Sequence, residues 1–223
     1  MPARSTGQPA GAGEQTRMAL VAAAIGLFGA KGFEATSTRE IAAKAGANIA
    51  SIAYHFGGKD GLRLACAEMV VARIRGVVGE VILSSDPGDD PRVAAAMIEA
   101  AAMGMADFLL ARSEARDIAA FMVREVSAPG VVLDRIYADL IYPVHSKLCQ
   151  LLGLATGQDP EGDLIRLGAF SIAGQIVYFR IGHALVAKRM QWQSVGSDEI
   201  GRIKAVILSN IRTFIAANAR VMP

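Results

Sequence analysis

Between Glu14 and Phe214 the apolar positions recur with a helical period wherever a period can be read. No stretch combines strict alternation with β-branched or aromatic enrichment, so the pattern predicts an all-α chain. Leu20, Ala23, Ala24, Leu27 and Phe28 give the stripe of a first amphipathic helix. Breakers at Lys31-Gly32, Ala45-Gly46, Gly57-Gly58, Ser85 to Gly88, Ala128 to Gly130, Gly153 to Gly162 and Ser194 to Ser197 then cut the chain. The resulting helices lie near 14–31, 38–45, 48–55, 59–84, 91–112, 115–127, 131–152, 162–191 and 197–218. Residues 1–13, small and polar with no apolar period, read as a flexible arm.

Composition narrows the class. With 223 residues, 52% hydrophobic, 20% charged and a net charge of +2, the chain is neither a disordered segment nor, with two cysteines, a disulfide scaffold. Cys66 and Cys149 have no CxxC partner and read as reduced, partly buried thiols. A mean hydropathy of +0.35 raises the membrane question. The longest early apolar run, Met18 to Ala30, is thirteen residues, and a spanning helix needs about 20. Glu14 and the helical stripe oppose reading that run as a signal peptide, so a cytoplasmic protein without a membrane partner is expected and an exported one is the weaker reading. Residues 1–75 hold nine Lys/Arg against five Asp/Glu, while the remainder carries a net −2. A nucleic-acid partner, if there is one, therefore meets the N-terminal third.

The informative stretch is Thr36 to Lys59, TSTREIAAKAGANIASIAYHFGGK. Thr38 falls at the cap or first turn of a two-turn helix whose buried stripe is Ile41, Ala42 and Ala45. Gly46 ends it in the left-handed region. Asn48 caps a second short helix carrying Ile49, Ile52 and Phe56. Two such helices around a tight glycine turn form a helix-turn-helix, although spacing alone also permits a plain αα-hairpin. The outward groups favour DNA: Ser37, Thr38, Arg39, Asn48, Ser51, Tyr54, His55 and Lys59 are donors of the kinds that reach phosphates and base edges.

Together with AIGLFGAKGFEATSTREIAAKAG and IAYHFGGKDGL, this stretch resembles the TetR (tetracycline-repressor-like) family of bacterial transcription regulators over about residues 14–75. A second resemblance, carried by MVREVSAPG and GQIVYFRIGHALVAKRMQW between Phe121 and Trp192, is to the CecR-type branch. The resemblance implies a DNA-binding domain over 14–75 and a ligand-binding and dimerisation domain over 76–223. It implies that Asn48 to His55 enters the major groove, that Tyr54 and His55 touch the backbone, and that Lys59 clamps a phosphate. Thr38 and Arg39 then face the adjacent backbone, and Arg39 is able to pair with a guanine edge. Ala53 stands where many relatives carry a tyrosine. With Ala50 and Ser51 it leaves methyl contacts and DNA shape to carry specificity. Packing without DNA contact stays open for His55 and Tyr54.

Beyond residue 91, Ile200, Ile203, Ile207, Ile211 and Phe214 form one stripe, and Ala169, Ala173, Gly174 and Gly182 are small residues that admit a close helix. In the family the last two long helices dimerise, so these positions are expected to form a homodimer seam suited to an inverted-repeat operator. Met97, Phe108, Phe121, Met122, Tyr142 and Phe179 mix with Arg124, His145, Gln175, Tyr178 and His183. That mixture suggests a pocket for a small apolar or aromatic effector, with an ion pair between Arg124 and Glu125 as the alternative role for that arginine. The chain shows no HExxH, GxSxG, Walker or GxGxxG motif, and His55, His145 and His183 share no metal-ligand spacing. A regulator without cofactor, metal or catalytic set is expected, the alternative being a helical small-molecule binder or enzyme.

Overall fold

The computed structural model describes residues 10–83 and 86–220, all helical in their regular elements and without a strand among them. The helices are α1 (Ala10–Lys31), α2 (Thr38–Ala45), α3 (Ala50–Phe56), α4 (Lys59–Val78), α5 (Pro91–Ala111), α6 (Ala115–Val126), α7 (Val131–Ile136), α8 (Tyr142–Thr156), α9 (Asp163–Ile181), α10 (His183–Met190) and α11 (Ser197–Asn218). A π-helical turn, Gly79–Leu83, extends α4, and a second, Tyr137–Ile141, joins α7 to α8.

Local chemistry explains the first domain. Ser37 Oγ accepts the Glu40 N–H at 3.2 Å and caps α2. Gly46, at φ 63°, supplies the left-handed stop, and Ala47 N reaches back to Ala42 O at 2.9 Å. Asn48 Oδ1 accepts the Ala50 N–H at 2.9 Å and opens α3. Ile41, Ala42 and Ile52 are buried with Leu20, Val21, Ala24 and Phe28 of α1 and Leu62 and Cys66 of α4. The thirteen-residue apolar run is thus largely the core stripe of α1. Gly61 fixes the approach of α4 to α3: a Cβ there would lie 1.9 Å from the Phe56 carbonyl oxygen.

Three sequence expectations change. Residues 10–13 are helical rather than part of the arm, with Thr16 Oγ1 donating to Ala12 O at 3.0 Å; the rest of that arm lies outside the described residues. The helix expected over 131–152 is interrupted at Tyr137–Ile141 and runs on to Thr156. Pro143 lacks the N–H that would bond Asp139 O, and the Arg75 guanidinium of α4 donates to that carbonyl instead at 3.1 Å. The helix expected over 162–191 breaks at Gly182, which leaves helical geometry at φ −89° and ψ 9°. The domain division expected at residue 75 lies within α4, as the helix expected over 59–84 already implied, so the two parts share that helix.

In the second part α5 is central, packed on α8, α9 and α11. α5 and α9 are long and apolar enough to cross a membrane by length and composition, but each contributes buried residues to this core. Arg212 of α11 grips Glu99 of α5 at 2.7 Å, and that hydrogen bond holds the Glu99 carboxyl below the usual carboxylate range. Lys204 pairs with Asp107 at 2.7 Å between the same helices.

Candidate nucleic-acid interface

The α2–α3 unit leaves its polar residues accessible. Arg39, Asn48, Ala50 and Ala53 are exposed, and Thr38, Ser51, His55 and Lys59 are partly so. Tyr54 is 85% exposed, with its ring edge-on to His55 at 4.9 Å. A tyrosine this open contributes little to packing and is free to meet a partner. Ser37 and Asn48 have their side-chain oxygens engaged in caps, so only their donors remain for a ligand.

Lys59, at the first position of α4, is held by Phe33, a residue the sequence reading passed over: its Nζ lies 4.2 Å from the ring centre. Arg63, one turn on, faces the same ring at 4.5 Å. Arg63 then forms a two-bond pair with Glu125 of α6, Nε to Oε1 at 3.0 Å and a terminal nitrogen to Oε2 at 2.7 Å, and Glu125 is buried. Arg124 does not pair with its neighbour Glu125. Its Nε donates to Gly29 O at 2.7 Å and a terminal nitrogen to Ala30 O at 3.0 Å, satisfying carbonyls at the end of α1. Two adjacent residues of α6 therefore fasten the second part to two different helices of the first. Arg17, 5.7 Å from the Phe56 ring centre, is a further cation beside α3 that spacing did not single out.

The residues expected to share an effector pocket are not brought together. Phe108 and Phe121 are closed core side chains, and Met97 and Met122 are partly buried against that core. Tyr142 and His145 line a cleft of about 340 Å³ with Cys149, Arg166 and Phe170, where the His145 ring stacks 4.1 Å from Phe170. Arg124 and His183 line a separate cavity between α1, α6 and α9–α10. Gln175 accepts a hydrogen bond from Asn210 of α11 at 3.0 Å, while Tyr178 is exposed beside Phe179. The apolar cavity between α5, α8 and α9, which includes Met105, Leu148 and Ile172, is only about 90 Å³ and contains none of the expected ligand residues.

The expected seam is also corrected. Ala169, Ile200, Ile203, Ile207 and Ile211 are buried within the protomer, and the Phe214 ring packs over Gly168, where a Cβ would meet it at 2.3 Å. Of the expected seam positions only Ala173 and Gly174 are exposed. The isoleucine period marks a buried face, but the partner of that face is α11's own chain. What α9 and α11 leave uncovered is a different apolar face: Leu167 at 67% exposure, with Leu164, Phe170, Val177, Tyr178, Ile181 and Val206 also exposed.

A capped two-helix unit with an open polar face, set on a larger helical body, defines a helix-turn-helix DNA-binding protein. The model of "Bacterial regulatory proteins, tetR family" matches residues 20–66, and that of the "HTH-type transcriptional dual regulator CecR, C-terminal domain" matches residues 94–218. CecR of Shigella flexneri is 32% identical over 208 residues, covering 89% of this chain and 91% of that protein. The regulatory protein RaaS of Mycobacterium tuberculosis is 43% identical over 65 residues, 29% of this chain and 30% of its own. Among solved structures, AibR in complex with isovaleryl coenzyme A and operator DNA shares the fold at a TM-score of 0.67 and 17% identity, covering 87% of this chain and 96% of that one. A TetR-like regulator from Rhodococcus sp. RHA1 shares it at 0.66 and 21% identity, covering 94% and 99%. The chain belongs to the TetR family of bacterial transcriptional regulators, with a CecR-type C-terminal domain. It is a DNA-binding regulator rather than an enzyme.

Proposed function

We propose that the chain is a cytoplasmic, ligand-responsive repressor that binds an inverted-repeat operator as a homodimer. The observation that carries this reading is the open polar face of α2 and α3 followed directly by Lys59 at the head of α4. In it, α3 lies in the major groove with Ala50, Ser51 and Ala53 against base edges and thymine methyls. Tyr54, His55 and Lys59 hold the backbone, with Ser37, Thr38 and Asn48 as flanking donors. Arg39 reads a guanine.

The DNA-binding part is taken as residues 14–75 with the helical turn at 10–13 added, and the remainder as the sensing and dimerising part. The dimer uses the exposed face of α9 and α11 rather than the isoleucine stripe. A charge-poor patch of that composition suits an obligate two-fold contact. Sensing is supported by the TetR-type fold that the chain shares with AibR, whose structure holds isovaleryl coenzyme A together with operator DNA.

The test is titration of the purified protein with the intergenic DNA beside its own gene, paired with sedimentation. One dimer bound per imperfect inverted repeat supports the reading. A monomer at micromolar concentration with no sequence preference contradicts it.

A further inference from the structure

The cavity between the two parts of the chain is walled by α1, α6 and the α9–α10 junction and measures about 360 Å³. Apolar Ala120, Val123 and Ile181 line it together with Arg116, Arg124 and Arg180. Arg180 is partly buried while Arg116 and Arg124 are exposed, and three guanidiniums gathered around one cleft need an explanation, since like charges repel. Arg124 has one: two of its five donors go to the Gly29 and Ala30 carbonyls. Arg116 and Arg180 have none. Among the described residues neither has a carboxylate within 4.0 Å, and neither side chain donates a hydrogen bond. His183 also lines the cavity, and Asp117, whose Oδ2 lies beside Gly26 with Lys44 Nζ, is the carboxylate whose charge reaches Arg180. Burial first, and then the charge of Arg116, hold the Arg180 guanidinium below its ordinary range, with Asp117 offsetting part of this.

We propose that this cavity binds a small amphiphilic anion, a carboxylate or phosphate monoester on a short apolar body, whose charged head is taken by Arg116 and Arg180. An anion cancels the repulsion between the two arginines and satisfies fork-shaped donors that otherwise face only water. The apolar lining accepts the body, and the volume falls in the range usual for small-molecule sites. Residue chemistry also selects against neutral ligands, which leave the repulsion in place.

The position gives the site a consequence for DNA. Arg124 belongs both to the cavity and to the contact that fixes the end of α1, and α1 packs on both α2 and α3. A head group that competes for Arg124 loosens that contact, and the helix-turn-helix shifts relative to α6. This part of the inference rests on the ligand-responsive reading given above, whereas binding itself does not.

The experiment is calorimetric titration of the full chain, at constant ionic strength, with octanoate, octyl phosphate, octanol and inorganic phosphate, repeated on Arg180→Gln and Arg116→Gln. The expected result is that octanoate or octyl phosphate binds at least tenfold more tightly than either octanol or inorganic phosphate. Either substitution then removes at least tenfold of that affinity. Because Gln relieves a repulsion, ligand-free Arg180→Gln unfolds at the same temperature as wild type or higher, which separates a lost site from a lost fold. Octanol binding as tightly as both anions, inorganic phosphate matching octyl phosphate, or Arg180→Gln binding like wild type overturns the site. A further arm measures affinity for a duplex selected by the protein from a random library. Arginine-dependent anion binding that leaves this affinity unchanged upholds the site and overturns the ligand-responsive reading instead.

Discussion

Lys59 Nζ stands 4.2 Å from the centre of the Phe33 ring, and this contact ties the proposed phosphate clamp to the turn that follows the first helix. The same ring carries Arg63, and Arg63 is held by buried Glu125 from the second part of the chain. The clamp is therefore one aromatic ring and one ion pair away from α6. An exposed lysine is ordinarily free to sample many rotamers. Here the ring restricts it before DNA arrives, which lowers the ordering cost of a phosphate contact.

Removing Glu125 tests this chain of contacts. Glu125→Ala leaves Arg63 without its carboxylate, but Arg63 is partly exposed and regains water, so the cost is expected to be about 1–3 kcal/mol rather than the larger loss of a fully buried pair. Chemical denaturation of Glu125→Ala, Arg63→Ala and the double variant measures the coupling. Single effects that add without interaction contradict a direct pair.

Arg39→Ala is expected to lose discrimination at one base pair in each half-site, worth about 1–3 kcal/mol, with little change in affinity for unrelated DNA. Competition with operator duplexes substituted at single positions checks it. A uniform loss at every position would reassign Arg39 to the backbone.

Two substitutions separate the protomer core from the dimer face. Ile207→Asp places a charge where the protomer is fully closed and is expected to unfold it. Leu167→Asp, at a site 67% exposed, is expected to give folded monomers with weakened operator binding. Circular dichroism and sedimentation distinguish the outcomes. Folded monomers from Ile207→Asp would restore the isoleucine stripe as the seam.

Both cysteines are expected to be inert in the folded protein. Burial, reinforced by the Glu125 charge, pushes the Cys66 thiol far above its usual range. Burial, with Glu161 adding to it, also raises Cys149. Since the thiolate is the reactive species, iodoacetamide at pH 8 should label native protein at least tenfold more slowly than denatured protein. Equal rates would contradict the burial of these groups.

Local signals account for what the sequence disclosed. The bounds of α2 and α11 match expectation because Ser37, Gly46 and Gly196 mark their ends by cap and turn chemistry that acts within a few residues. The outward polar face of α3 was legible for the same reason. The isoleucine stripe of α11 misled because a period reports that a face is buried and not what buries it. Arg63 and Glu125 are 62 positions apart, and Arg124 meets a carbonyl 95 positions away, distances over which spacing carries no information. The π turn before α8 was within reach, since Pro143 announces a missing donor, but its Arg75 partner was not.

The central claim is that the face opened by α2, α3 and the head of α4 binds the DNA backbone, and the salt dependence of operator affinity in wild type and Lys59→Ala tests it most directly. Each phosphate neutralised by a lysine contributes about 0.9 to the slope of log affinity against log salt. The account predicts weaker binding to all sequences alike and a slope flatter by about one unit per subunit in Lys59→Ala. An unchanged affinity with an unchanged slope would contradict it.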